Sequence, residues 1–193
     1  MTVWSNLTLV ATLVCILWFV SEVALSRMLH SSRKSATSKD KASLRTLWLT
    51  IVPATVIGSL LGGSRLGYVS SWSLGISWIG LALIFIGLII RWSAIVALRK
   101  YFTADVAIAS GQKLVDTGLY AVVRHPSYSG AILSFIGLGL TFSSWLSTII
   151  IAVPIFFAFR HRIKVEEQAL TEFFGDTYVQ YTHRVKRLIP LIY

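Results

Sequence analysis

Apolar runs long enough to cross a bilayer, each closed by lysine or arginine, constrain this chain before any motif does. Trp4 to Leu29 carries only Glu22 and Arg27 as charges, and it exceeds the roughly 20 residues that span a hydrocarbon layer. Leu47 to Gly62 and Trp72 to Ile90 contain no charge at all. In lipid every backbone N–H and C=O must be satisfied within the segment, so these runs are expected to be helices. The first run is too long for a cleaved signal and lacks a basic leading region, so it is expected to be retained as a span.

Composition decides what the basic charge means. The chain is 55% hydrophobic with a formal net charge of +10 and a mean hydropathy of +0.71. Its 18 Lys and Arg gather beside the apolar runs, as in Arg33, Lys34, Lys39, Lys41 and Arg45. That is the positive-inside pattern rather than a nucleic-acid footprint. It puts the N-terminus outside and the basic linker on the cytoplasmic face. Cys15 is the single cysteine, which excludes an intrachain disulfide and any cysteine metal or redox motif. Glu22 falls near the inner end of its run and reads as an interfacial carboxylate. Ala54, Gly58 and Gly62 form a small-residue face suited to close packing, within the chain or across a dimer.

Beyond residue 100 the chain becomes mixed. Residues 1–100 read as three spans and 101–193 as a second half that carries the chemistry. Tyr101 to Ser127 is a long polar connection, and such connections are often functional. Pro126 removes His125 from the helical region, which predicts a turn at Arg124 and His125 and a helix near Tyr128 capped by Ser127. Tyr128 to Phe142 and Leu146 to Phe159 then predict a helical hairpin of two short arms, with Gly130, Gly137 and Gly139 permitting close approach. Arg160, His161, Arg162 and Lys164 return the chain to the cytoplasmic side. From Val165 to Pro190, apolar residues recur at three- and four-residue steps, broken at Gly175. The expected fold is therefore all-α, with five transmembrane helices, the last two a hairpin, and a cytoplasmic C-terminal helical cap.

Two polar clusters meet at one depth. One is Arg124 to Tyr128 at a helix N-terminus, where free N–H groups and a partial positive charge favour carboxylate or hydroxyl ligands. The other is Arg162, Glu166 and Glu167, where Arg162 and Glu166 share one helical face. Arg91 closes the third span, either snorkelling to the interface or contacting a ligand. No glycine-rich phosphate loop and no metal-ligand spacing of His and acids is present, and His161 and His183 read as surface residues.

The order Leu114-Val115-Asp116-Thr117-Gly118-Leu119-Tyr120, Arg124-His125-Pro126-Ser127-Tyr128-Ser129-Gly130, Arg162, Glu166-Glu167, Phe174-Gly175, Tyr178 and Tyr181 resembles the isoprenylcysteine carboxyl methyltransferase family and its phospholipid methyltransferase relatives. The likeness covers about Phe102 to Pro190, and the compact chain resembles prokaryotic members. It implies an integral membrane methyltransferase that uses S-adenosylmethionine, releases S-adenosylhomocysteine, and holds the cofactor on the cytoplasmic side beneath the C-terminal helices. The implied cofactor contacts fall on Gln112, Lys113, Leu114, Val115, Tyr120, His125, Pro126, Ser127, Tyr128 and Glu166. Glu167 is the neighbouring candidate, and which glutamate serves is left open. Arg162 matches the arginine associated with a substrate carboxylate, Arg91 stands as a second substrate candidate, and Arg162, Glu166 and Glu167 form the candidate catalytic set.

A lipophilic or prenylated acceptor carrying a carboxylate, reached through the membrane, is the expected partner. Oligomeric state and the identity of the acceptor stay open. An amine acceptor would need a base, for which Arg162 is unsuited. An NADPH-dependent membrane reductase would want more cations than Lys113 for a 2′-phosphate. A non-enzymatic scaffold would leave the converging clusters unexplained.

Overall fold

The computed structural model describes residues 10, 13–14, 17–22, 38–98 and 112–193. Most of the first run, Cys15, Arg27, the linker residues 30–37 and residues 99–111 of the polar connection lie outside the described residues. Residues 17–22 are helical. They are followed by α1 (Ser38–Gly63), α2 (Ser73–Leu98), a 3-10 turn (Gly118–Ala121), α3 (Pro126–Thr141), α4 (Trp145–Phe174) and α5 (Asp176–Arg184). No strand forms among the described residues, only the isolated bridges Tyr68 to Ser144 and Val123 to Lys186. Among the described residues three helices, Ala42–Gly63 within α1, α2 and α4, are long and apolar enough to cross a membrane, and the chain is an integral membrane protein. Trp72, the residue before α2, and Trp92 within it are exposed, and the helical stretch from Ser73 to Trp92 is about 30 Å long at about 1.5 Å per residue, the thickness of a hydrocarbon core.

Small residues set the packing. Helices α2 and α3 run antiparallel in such close contact that a Cβ on Gly80 would stand 2.7 Å from the Gly137 carbonyl oxygen, and one on Gly87 would stand 2.5 Å from that of Gly130. Lipid offers no hydrophobic drive between helices, so this backbone-level approach and its dispersion contacts hold the pair. The expected face on α1 packs within the chain: Gly58 meets Ile151 and Ser147 of α4, and Gly62 meets Phe142. Gly139 likewise admits Thr148 across the α3–α4 turn. At the same end, Ser143 Oγ donates to Ser73 O at 2.6 Å, Ser144 Oγ to Leu66 O at 2.6 Å and Ser147 Oγ to Gly58 O at 2.8 Å. A Cβ on Gly130 would meet the Arg91 backbone nitrogen at 2.7 Å. Gly130→Ala is therefore expected to push α2 and α3 apart at a cost of about 1–3 kcal/mol, read as a fall in thermal stability in detergent. Gly63→Ala, with nothing within 4 Å of its Cβ, is the control that should stay neutral.

Several boundaries differ from expectation. Helix α1 begins at Ser38, not Leu47. Helix α3 begins at Pro126 with His125 as N-cap, because proline is preorganised for a first helical position and needs no N–H partner there. Ser127 is thus inside the first turn and caps nothing. The second hairpin arm does not stop at Phe159: α4 runs 30 residues to Phe174 with Pro154 inside it. No glycine or proline follows Pro154 before Gly175, so Arg160 to Lys164 change the helix's solvent without breaking it. Gly175, at φ 54° and ψ −131°, makes the turn into α5, a backbone conformation only glycine adopts without strain. The terminal helix ends at Arg184 rather than Pro190, because Arg124 N donates to Lys186 O at 2.7 Å and His125 N to Arg187 O at 3.0 Å, drawing the tail into extended pairing.

Candidate active site

The turn before α3, the C-terminal third of α4 and the returning tail meet at one end of the bundle. Glu167 is their common anchor. Its Oε1 accepts from Arg124 Nε at 3.0 Å and Nη2 at 2.8 Å and lies 3.3 Å from His125 Nε2. Its Oε2 accepts from Arg187 Nε at 2.8 Å and Nη2 at 2.7 Å. Arg124 Nη1 also donates to the carbonyls of Thr182 and Val185, fastening α5 to the same guanidinium. A carboxylate gripped by two arginines is fully used in holding the structure together.

Glu166 is placed differently. Its Oε2 is buried yet accepts no hydrogen bond among the described residues, and His125 Nδ1 is 3.8 Å away. Tyr128 lies close enough to Glu166 and Arg162 to feel the charge of both. Arg162, only 2% exposed, donates from Nη1 to Ser43 Oγ of α1 at 2.5 Å. The Tyr128 ring stacks on His125 with centroids 5.7 Å apart and tilts against Phe159 at 5.2 Å. His125, Tyr128, Arg162 and Glu166 therefore gather in one place, with a buried acceptor that has no donor among the described residues.

The remaining candidates divide. Leu114 packs against Tyr178, Tyr181 and Val185, so the strand of chain from Gln112 to Val115 lies along the inner face of α5. Gln112 and Val115 are partly buried and Lys113 is exposed. Tyr120 is buried; its hydroxyl donates to Ala94 O at 3.3 Å, and its carbonyl accepts from the Tyr181 hydroxyl. Burial pushes the Tyr181 phenol up to about 12, which keeps it a donor at neutral pH. The Tyr178 hydroxyl is buried with no hydrogen-bond partner among the described residues. Pro126 is buried at the start of α3. Ser127 Oγ accepts from Arg91 Nη1 at 2.9 Å, and Arg91 neither snorkels nor joins the Arg162 cluster: it pairs with Glu22 at 2.5 Å.

Sequence reasoning missed Arg187, Tyr178 and Ser43. Arg187 sits past the last helical step, and only the return of the tail brings it to Glu167. Tyr178 was legible as an apolar step of a helix, but not as a buried hydroxyl. Nothing in the basic linker marked Ser43 as the residue that would face Arg162.

A cationic, hydroxyl-bearing cofactor such as S-adenosylmethionine fits these residues. The orphaned Glu166 Oε2 lies beside His125, the N-cap of a helix with no side-chain cap, and the orphaned Tyr178 hydroxyl on α5 adds a neutral donor. Buried polar groups without partners are costly, so their presence together favours a polar ligand.

Comparison with known proteins points to one family. The model of the isoprenylcysteine carboxyl methyltransferase (ICMT) family matches residues 78–172, beginning in α2 rather than at Phe102 and so including the α2–α3 glycine contact. The chain is 38% identical over 119 residues to protein-S-isoprenylcysteine O-methyltransferase B of Arabidopsis thaliana, spanning 61% of this chain and 60% of that protein. It is 38% identical over 109 residues to protein-S-isoprenylcysteine O-methyltransferase of Schizosaccharomyces pombe, spanning 55% of this chain and 46% of that one. Among solved structures it superposes on the eukaryotic intramembrane Ras methyltransferase ICMT with a TM-score of 0.58 and 28% identity, covering 79% of this chain and 52% of that one. The chain thus spans less than two thirds of these relatives' length.

Proposed function

We propose that this chain, whose residues 78–172 match the model of the isoprenylcysteine carboxyl methyltransferase family, is a member of that family and methylates the carboxylate of an isoprenylcysteine-like lipophilic acceptor, using S-adenosylmethionine. The observation that carries the reading is the buried Glu166 Oε2, which accepts no hydrogen bond among the described residues, set beside His125, on which Tyr128 stacks, and four residues along α4 from the buried Arg162. In this reading the N-terminus is outside, five segments cross the membrane, and the cluster faces the cytoplasm beneath α5.

S-adenosylmethionine supplies an electrophilic methyl group carried on a sulfonium. Glu166 offers the charge that offsets such a cation, and the first turn of α3 offers N–H groups to the cofactor's own carboxylate. Tyr128, held between Glu166 and Arg162, couples the cofactor side to the acceptor side. Arg162 is planar and permanently charged, so it suits an acceptor carboxylate and cannot act as a base. An ionised carboxylate needs none: alignment and removal of water suffice for in-line displacement. The same argument ranks an amine-bearing phospholipid second. The acceptor's apolar tail is accommodated by lipid, with its head at the level of Arg162.

Calorimetry of the detergent-purified protein tests the cofactor. S-adenosylhomocysteine is expected to bind saturably and NADPH not at all. Binding of NADPH alone would turn the reading to a reductase. Binding of neither would return it to a scaffold.

A further inference from the structure

Arg91 carries a charge that the transfer cluster does not use. Its Nε and Nη2 donate to Glu22 Oε1 and Oε2 at 2.5 and 2.7 Å. Its Nη1 donates to Ser127 Oγ at 2.9 Å and to Ser127 O at 3.3 Å. Glu22 Oε1 also accepts from Trp18 Nε1 at 3.3 Å, and the Trp18 ring packs on Phe135 of α3 with centroids 4.7 Å apart. The glutamate is therefore fixed to α3 through Trp18 and to α2 through Arg91. Both charged side chains are mostly withdrawn from solvent, 13% exposed for Arg91 and 20% for Glu22. Glu22 also precedes the segment shared with the family, residues 78–172.

The location gives the pair its meaning. Ser127 lies in the first turn of α3, where the helix already presents partial positive charge. An uncompensated guanidinium on Ser127 would make that entrance cationic. Within a site of low effective dielectric, a unit charge acts over 8–10 Å with little screening.

We propose that Glu22 is a positioning and charge-balancing residue: it holds Arg91 on Ser127 and cancels the guanidinium's charge, so that a sulfonium-bearing cofactor meets the helix entrance without an added full positive charge. This rests on the methyltransferase reading above. It makes a demand that simple bracing does not, because S-adenosylmethionine carries one more positive charge than S-adenosylhomocysteine. Loss of the Glu22 charge should penalise the first ligand and spare the second.

The test is calorimetric titration of the full-length protein in detergent with both ligands, for the parent, Glu22→Gln, Glu22→Asp, Arg91→Met and the Glu22→Gln/Arg91→Met pair. Glu22→Gln is expected to raise the ratio of the S-adenosylmethionine Kd to the S-adenosylhomocysteine Kd on the order of tenfold. Arg91→Met leaves the carboxylate alone and should move the ratio the opposite way. Glu22→Asp and the double variant should keep the parent ratio. If Glu22→Gln does not fold, the opposite shift in Arg91→Met carries the test. A ratio that stays constant while both affinities fall together overturns the proposal and reduces the pair to a brace. Failure of the parent to bind either ligand would instead sink the cofactor reading itself.

Discussion

Glu167→Ala is expected to release the C-terminal segment from the bundle and to cost about 3–5 kcal/mol, the penalty for stranding buried charges that had shared a partner. Arg124 would keep its contacts to Thr182 and Val185 but lose the carboxylate that neutralises it, and Arg187 would lose both of its bonds to Oε2. Arg187 is one-third exposed, so most of the cost should come from Arg124, whose side chain is 8% exposed. Hydrogen exchange or limited proteolysis across residues 176–193 reads the effect directly. Glu166→Gln, measured in parallel, should leave that protection intact and weaken cofactor binding instead. Unchanged protection in Glu167→Ala would mean that the backbone pairing of Val123 to His125 with Lys186 and Arg187 holds the tail unaided.

Arg162→Ala is expected to leave S-adenosylhomocysteine affinity near its parent value and to lower turnover about 10²–10³-fold, the range seen when one preorganised charge or donor is removed from a reacting site. Arg162→Lys separates charge from shape. It keeps the cation but loses the planar fork that meets a carboxylate in two bonds, so it should recover only part of the rate. Equal loss of cofactor binding and transfer in Arg162→Ala would overturn the division of labour between Arg162 and Glu166.

The parts of this fold legible in sequence were those set by local chemistry. Pro126 announced a helix start and Gly175 a break, because each restricts or frees its own backbone. Gly58, Gly130 and Gly137 announced close helix contacts, because only small side chains allow them. The separate roles of Glu166 and Glu167 were not legible. Adjacent residues on a helix point about 100° apart, and which one meets Arg187 depends on where a tail twenty residues on returns. The Glu22–Arg91 pair was hidden for a similar reason: each charge alone reads as interfacial, and only the approach of the first helical segment to α2 and α3 turns two surface charges into one partly buried ion pair. The end of α4 was misread because a change from apolar to basic residues marks a change of solvent, not of backbone.

That unbroken α4 gives the chain a gearing. One rod carries Trp145 at one end and Glu166 and Glu167 toward the other, so the bearing of the two glutamates around the axis is counted off from residues deep in lipid. Inserting or deleting a single residue anywhere between Ile155 and Arg162 would turn the far end by about 100° relative to the near one. The carboxylate that now anchors the tail would be swung out of line with Arg124, and its neighbour out of line with Tyr128. The register of this membrane segment is thus as strict a determinant of the chemistry as the identity of the residues that perform it.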